Sequence, residues 1–221
     1  MNYKTELLEI AEVFKQMNVP VVFTGGATLN LYTDDTAKEE VRFTDDIDVV
    51  IELATYSDFA LLEEELRNVG FKNNPTMLSR YNYKGIQVDI MSTNTVLNFT
   101  NKWYAPSFAL AEDVLVEHGQ SIRIFPFFSF IACKLEAYLG RGRGNLRTSH
   151  DFEDIVYVIN NNTKAATLLQ QAPLEIKKYL KEQFSGLIKQ AVFEEAIAGH
   201  MPSNEGLRKN RVIDILKEYT A

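Results

Sequence analysis

Residues 42–50 read RFTDDIDVV, and this run constrains the fold more than any other, because aspartates interrupt the apolar, β-branched pattern of a strand. Side chains of a strand alternate between faces. Asp46, Asp48, Val50 and Glu52 therefore project to one side, and Ile47, Val49, Ile51 and Leu53 to the other. Asp46 and Asp48 become neighbours on one face, roughly 6.5–7 Å apart. Two carboxylates so placed repel each other. Either they stand in solvent, at a sheet edge or in a turn before the strand, or they gather a divalent cation that also supplies the charge a phosphate substrate needs. Asp45 points the other way and reads as the residue that starts the strand.

Two further stretches favour the second possibility. Upstream, VPVVFT is a short apolar strand that ends in Gly25-Gly26, and ATLNLYT follows as a helix start. Glycines let backbone approach an anion and a helix start offers free N–H groups, so this is a candidate phosphate cradle. Any hydroxyl contact there falls to Thr24 or Thr28. Neither the G-x-x-x-x-G-K-[ST] loop nor the G-x-G-x-x-G fingerprint is present. Downstream, GIQVDIM places Asp89 in another apolar strand, on one face with Gln87 and Met91.

Periodicity divides the chain in two. Residues 3–18 carry Leu7, Ile10, Ala11, Phe14 and Met17 at helical spacing, and Phe59, Leu62, Leu66 and Val69 repeat the stripe before Gly70. MLSRYNYKGIQVDIMST reads as a hairpin turning at Lys84-Gly85, and DVLVEHGQSIRIF as one turning at Gly119-Gln120. From Pro126 onward every segment fits a helical period. The expectation is an α+β chain: residues 1–125 form a mixed β-sheet domain flanked by helices, and residues 126–221 a helical domain contributing to the same cleft.

The helical half holds a second charged constellation. Lys134 and Arg141 are seven residues apart on one helical face, and Asp151 and Asp154 three apart on the next helix. Such a pair holds a triphosphate, with the carboxylates orienting the bases, or else it is a salt-bridged helix pair. His150, at the start of that helix, is read as bonding locally.

Composition limits the alternatives. At 221 residues and 46% hydrophobic, the chain buries a sizeable core. A net charge of -7 excludes a general DNA-coating protein, and one cysteine with three histidines leaves no disulfide and no thiolate-rich zinc site. The N-terminal MNYKTELLEIAEVF lacks the basic, continuously apolar character of a signal peptide, and no apolar run matches a bilayer, so a cytoplasmic protein is expected.

Gly25-Gly26, then Arg42-x-Thr44-x-Asp46-Ile47-Asp48, then Asp89, resembles the nucleotidyltransferase superfamily with a DNA polymerase β type palm, and within it the AbiEii-like and MenT-like toxins. Lys134, Ala137, Arg141, Arg143, Asp151 and Asp154 are similar to that group's K-x-x-A-x-x-x-R and R/H-D-x-x-D motifs. Gly26 replaces the usual serine, and extra residues in RGRGNLRTSHD leave open whether Arg141 or Arg143 matches the family's arginine.

The resemblance implies transfer of an NMP from an NTP to an acceptor hydroxyl, with two Mg²⁺ or Mn²⁺ ions. Asp46 and Asp48 would hold both ions; Asp89 would hold one and help deprotonate the acceptor. Thr24, Gly25, Gly26, Thr28, Arg42, Thr44, Lys134 and an arginine at 141 or 143 would serve the NTP, with Asp151 and Asp154 behind them. The acceptor implied is tRNA, met through a local basic surface that could include Arg147, Lys178, Lys181, Arg208, Lys209 and Arg211, and a cognate antitoxin would neutralise the enzyme. A small-molecule or protein acceptor, and a non-catalytic NTP-binding module on the same palm, are the alternatives.

Overall fold

The computed structural model describes residues 3–34, 42–97, 100–141, 145–201 and 206–221. The chain separates at Pro126/Phe127 into a sheet unit and a helical unit, the latter also taking a short segment that begins at Tyr32.

The sheet unit starts with α1 (Lys4–Gln16), whose Leu7, Ile10, Val13 and Phe14 are buried. β1 (Val21–Thr24) follows and is buried throughout. The expected helix after it is instead a 3-10 helix, Gly26–Tyr32. Its first turn is closed by Thr28, which donates from both its backbone N–H (3.3 Å) and its hydroxyl (2.9 Å) to the Gly25 carbonyl. Next come β2 (Asp46–Ile51) and α2 (Tyr56–Asn68), which Thr55 and Asp58 open with a reciprocal capping box.

β3 (Lys72–Asn73) and α3 (Tyr104–Phe108) are short elements without a periodic signal in the sequence. Between them lie β4 (Arg80–Tyr83) and β5 (Ile86–Ser92), a hairpin whose turn residues Lys84 and Gly85 both have positive φ, 49° and 94°. β6 (Glu112–Glu117) and β7 (Gln120–Ile124) form the second hairpin, with the positive-φ pair at His118 and Gly119, one residue earlier than the sequence suggests. Both match the primed turns that suit the right-handed twist of paired strands.

The sheet runs β3-β4-β5-β2-β1-β7-β6 and is mixed: β2 pairs parallel with β5 and antiparallel with β1. One face is apolar. Ile47, Val88 and Tyr81 are register partners there, and Phe71 packs on Tyr81, Tyr83 and the Phe14 of α1. The opposite face of the same strands carries the polar residues described below.

The helical unit consists of α4 (Phe127–Gly140), α5 (His150–Asn160), α6 (Ala165–Gln170), α7 (Leu174–Ile188), α8 (Phe193–Gly199) and α9 (Gly206–Thr220). No strand occurs in it among the described residues. α4 is buried on nearly every side, including Phe127, Phe128 and Phe130, so these rings are core; the Tyr32 ring lies tilted against that of Phe130, 4.5 Å between centroids. Arg211 of α9 donates to the carbonyls of Ile159, Asn160 and Asn162 and so caps the end of α5. Among the described residues no helix is long and apolar enough to cross a membrane. The observed architecture is α+β, as the periodicity predicts.

Candidate active site

The register of the sheet gathers the polar residues of four strands. Thr24 of β1 is the partner of Asp48, Asp48 of Asp89, and Asp89 of Arg80, so four side chains stand in one row on one face. Asp46 lies two residues along β2 on the same face, with Gln87 as its partner. All three aspartates are half-buried, whereas Asp45 is exposed in a bend before β2. Thr44 steadies the start of the strand: its hydroxyl donates to Asp46 Oδ1 (2.8 Å), and its backbone is clamped by Tyr3 Oη, which accepts from Thr44 N and donates to Thr44 O.

The glycine turn is shaped around the same carboxylates. Gly25 has φ +75°, and a Cβ there would lie 1.8 Å from Asp48 Oδ2. Only glycine lets β1 turn this close to the acid. At Gly26 a Cβ would meet Arg42 Nη2 at 3.1 Å and the Thr44 side chain at 3.1 Å. Gly25, Gly26, Arg42, Thr44 and Asp48 thus form one packed corner. Thr24 and Thr28 are both buried, and Thr28 directs its hydroxyl to the Gly25 carbonyl, so its place in the structure is to close the turn.

Arg80 is the site residue that sequence reasoning missed. Its guanidinium donates to both oxygens of Asp89, Nε to Oδ1 at 2.7 Å and Nη2 to Oδ2 at 2.6 Å, and Nη2 reaches Asp46 Oδ2 at 3.2 Å. The bond to Asp89, helped by the charges of Asp89, Asp46 and Asp48 and opposed by burial, raises the Arg80 pKa above its ordinary value. The signal was present in the sequence. A two-residue turn at Lys84-Gly85 pairs residue 83 with 86, and hence 80 with 89.

The three carboxylates fit a hard divalent cation in kind, since they offer only oxygen donors. Their present arrangement differs from a formed metal centre: among the described residues no group of three or more His, Cys, Asp or Glu side chains is gathered to hold one. Arg80 instead bonds both Asp46 and Asp89 there.

The second constellation lies within the helical unit. Lys134 Nζ is 2.7 Å from Asp154 Oδ2 and 3.4 Å from Asp151 Oδ1, and Arg141 Nη1 is 3.1 Å from Asp151 Oδ2. Asp154 is fully buried and the Lys134 side chain only 14% exposed, whereas that of Arg141 is 73% exposed. Ser149 caps α5 by accepting from Phe152 N, and His150 bonds locally to Glu153 at 2.9 Å. Arg143 lies outside the described residues. Of the other basic residues considered for nucleic acid, Arg147 forms a two-pronged pair with Glu195 and Arg211 is committed to capping α5.

Solved structures share this fold. The chain is similar to an antigenic nucleotidyltransferase-like protein from Paracoccidioides brasiliensis, with a TM-score of 0.53 and 17% identity over 90% of this chain and 93% of the other. It is also similar to the antibiotic-resistance factor ANT(2'')-Ia, with a TM-score of 0.50 and 12% identity over 83% of this chain and 94% of the other. The protein is a nucleotidyltransferase by fold and family. Residues 7–204 match the profile of the nucleotidyl transferase AbiEii toxin family of type IV toxin–antitoxin systems, and the chain belongs to that family. No curated protein matches it significantly in sequence.

Proposed function

We propose that the protein transfers an NMP from an NTP to a hydroxyl of an RNA acceptor, tRNA above all, with release of pyrophosphate, and that Asp46, Asp48 and Asp89 are its catalytic residues. The observation that carries this reading is the single row in which Asp48 and Asp89 are register partners, with Asp46 beside them and the Gly25 turn against Asp48. A chain selected only for folding has little reason to place three carboxylates on one patch of sheet.

Asp46, Asp48 and Asp89 would hold the divalent cations, Mg²⁺ or Mn²⁺, which when bound offset the charge that develops as pyrophosphate leaves. The protein's own contributions are distinct. Gly25 and Gly26 let the turn approach an anion, while Arg42 and Thr44 pack against Gly26 and brace the start of β2. Lys134 and Arg141 are the cations that we assign to the triphosphate on chemical grounds, with Asp151 and Asp154 fixing their orientation. An NTP-dependent toxin acts where NTPs and tRNA are found, in the cytoplasm. The family's toxin–antitoxin context supports a protein antitoxin as the natural partner.

The test is incubation of the protein with each α-³²P-labelled NTP, Mg²⁺ or Mn²⁺, and separated cellular RNA, protein and small-molecule fractions. Label in RNA of tRNA size is expected, and its loss with EDTA. Label in an aminoglycoside or a protein instead would reassign the acceptor; NTP binding without transfer to any fraction would mark a non-catalytic module.

A further inference from the structure

The acid row already contains a cation. Arg80 holds both oxygens of Asp89 and one of Asp46, and its side chain is 23% exposed, close to the 25% of Asp46, so the guanidinium is within reach of solvent. It stands at the first residue of β4, two residues after the exposed Met77 and Leu78 pair. A long, flexible stem at a strand start can turn outward without disturbing the sheet. The guanidinium also opposes metal binding in two ways: it occupies carboxylate oxygens that a metal would need, and it places a positive charge beside the point where another would arrive.

We propose that Arg80 is the built-in counter-ion of the acid row, competing with divalent cations for Asp46 and Asp89, so that metal loading requires its guanidinium to give up these bonds. The proposal rests on the assignment of the three aspartates to a metal. Before metal binds, Arg80 offsets the repulsion within the row and keeps Asp89 oriented. Arg80 thereby sets the cation concentration at which the site fills, acting as a positioning residue rather than a catalytic one.

The test is Mn²⁺ binding to the full chain without nucleotide, followed by electron paramagnetic resonance, for the wild type, Arg80→Gln and Arg80→Lys. Competition predicts that Arg80→Gln binds Mn²⁺ roughly tenfold more tightly than wild type. It also predicts that Mn²⁺ raises the melting temperature of Arg80→Gln more than that of wild type. Arg80→Lys retains the charge but loses the two-pronged bond, and should fall between them. Folded Arg80→Gln that binds Mn²⁺ no more tightly than wild type overturns the proposal while leaving the metal assignment in place. If Arg80→Gln does not fold, Arg80→Lys decides by the same comparison. Absence of Mn²⁺ binding in every form, with and without NTP, removes the metal assignment and this proposal together.

Discussion

The acid row of the sheet and the ion cluster of the helical unit are both built from aspartates and basic side chains, but they balance charge differently. In the helical unit two carboxylates meet two cations, and the innermost acid, Asp154, is fully buried against Lys134. Burial of an ion is tolerated only when its partner is close and well directed. In the sheet, one guanidinium, that of Arg80, is shared between Asp89 and Asp46, with Asp48 beside them in the row. Those acids stay half-buried, within reach of solvent. A balanced, buried cluster is what structure requires. An unbalanced, accessible one is stable only with a further cation or with solvent, and marks where a ligand has something to offer.

Substitutions should separate these roles. The largest expected effect is on activity: Asp48→Asn should reduce nucleotide transfer by on the order of a thousandfold, corresponding to several kcal/mol of transition-state stabilisation. Removing one charge from an overcrowded row should leave the urea-unfolding midpoint unchanged or slightly raised. Transfer at the wild-type rate would exclude Asp48 from the reaction. Lys134→Met should do the converse, destabilising the protein by about 3 kcal/mol or more in urea unfolding, because buried Asp154 loses its nearest cation. Replacing the pair together, Lys134→Met with Asp154→Leu, should recover much of that loss. A small effect of the single change would mean that the cluster is not the structural member of the comparison.

The two regions also differ in how legible they were. The alternation of DIDVV with Ile47 and Val49 fixed which acids share a face, and strand periodicity alone suffices for that. Asp89 was visible for the same reason, as an acid in an apolar strand. Arg80 was not, since its neighbours Tyr81 and Tyr83 dominate the pattern and its meaning comes from cross-strand register. The helix start expected at ATLNLYT is present as a 3-10 helix, tightened by the Thr28 bonds to the Gly25 carbonyl, a geometry that the sequence pattern does not distinguish from an α-helix. β3 and α3, of two and five residues, are too short to carry a period. In the helical unit the spacing of Lys134, Arg141, Asp151 and Asp154 was readable, but which cation would be enclosed was not, because burial depends on how α4 and α5 pack.

That last point yields the smallest effect and the finest distinction. Arg141 pairs with Asp151 at 3.1 Å, yet its side chain is 73% exposed. Asp151 is buried but keeps Lys134 at 3.4 Å, and the cation removed is itself exposed, so Arg141→Ala should shift stability by no more than about 1 kcal/mol. Any catalytic change in this variant can therefore be read as a change in binding. If Arg141 engages the triphosphate, the KM for NTP should rise by about tenfold, the loss of one charge-assisted contact. An unchanged KM would leave Arg141 as a solvated partner of Asp151. Lys134 would then be the remaining cation of the cluster assigned to the phosphates, and Arg42 the next residue to test for that role.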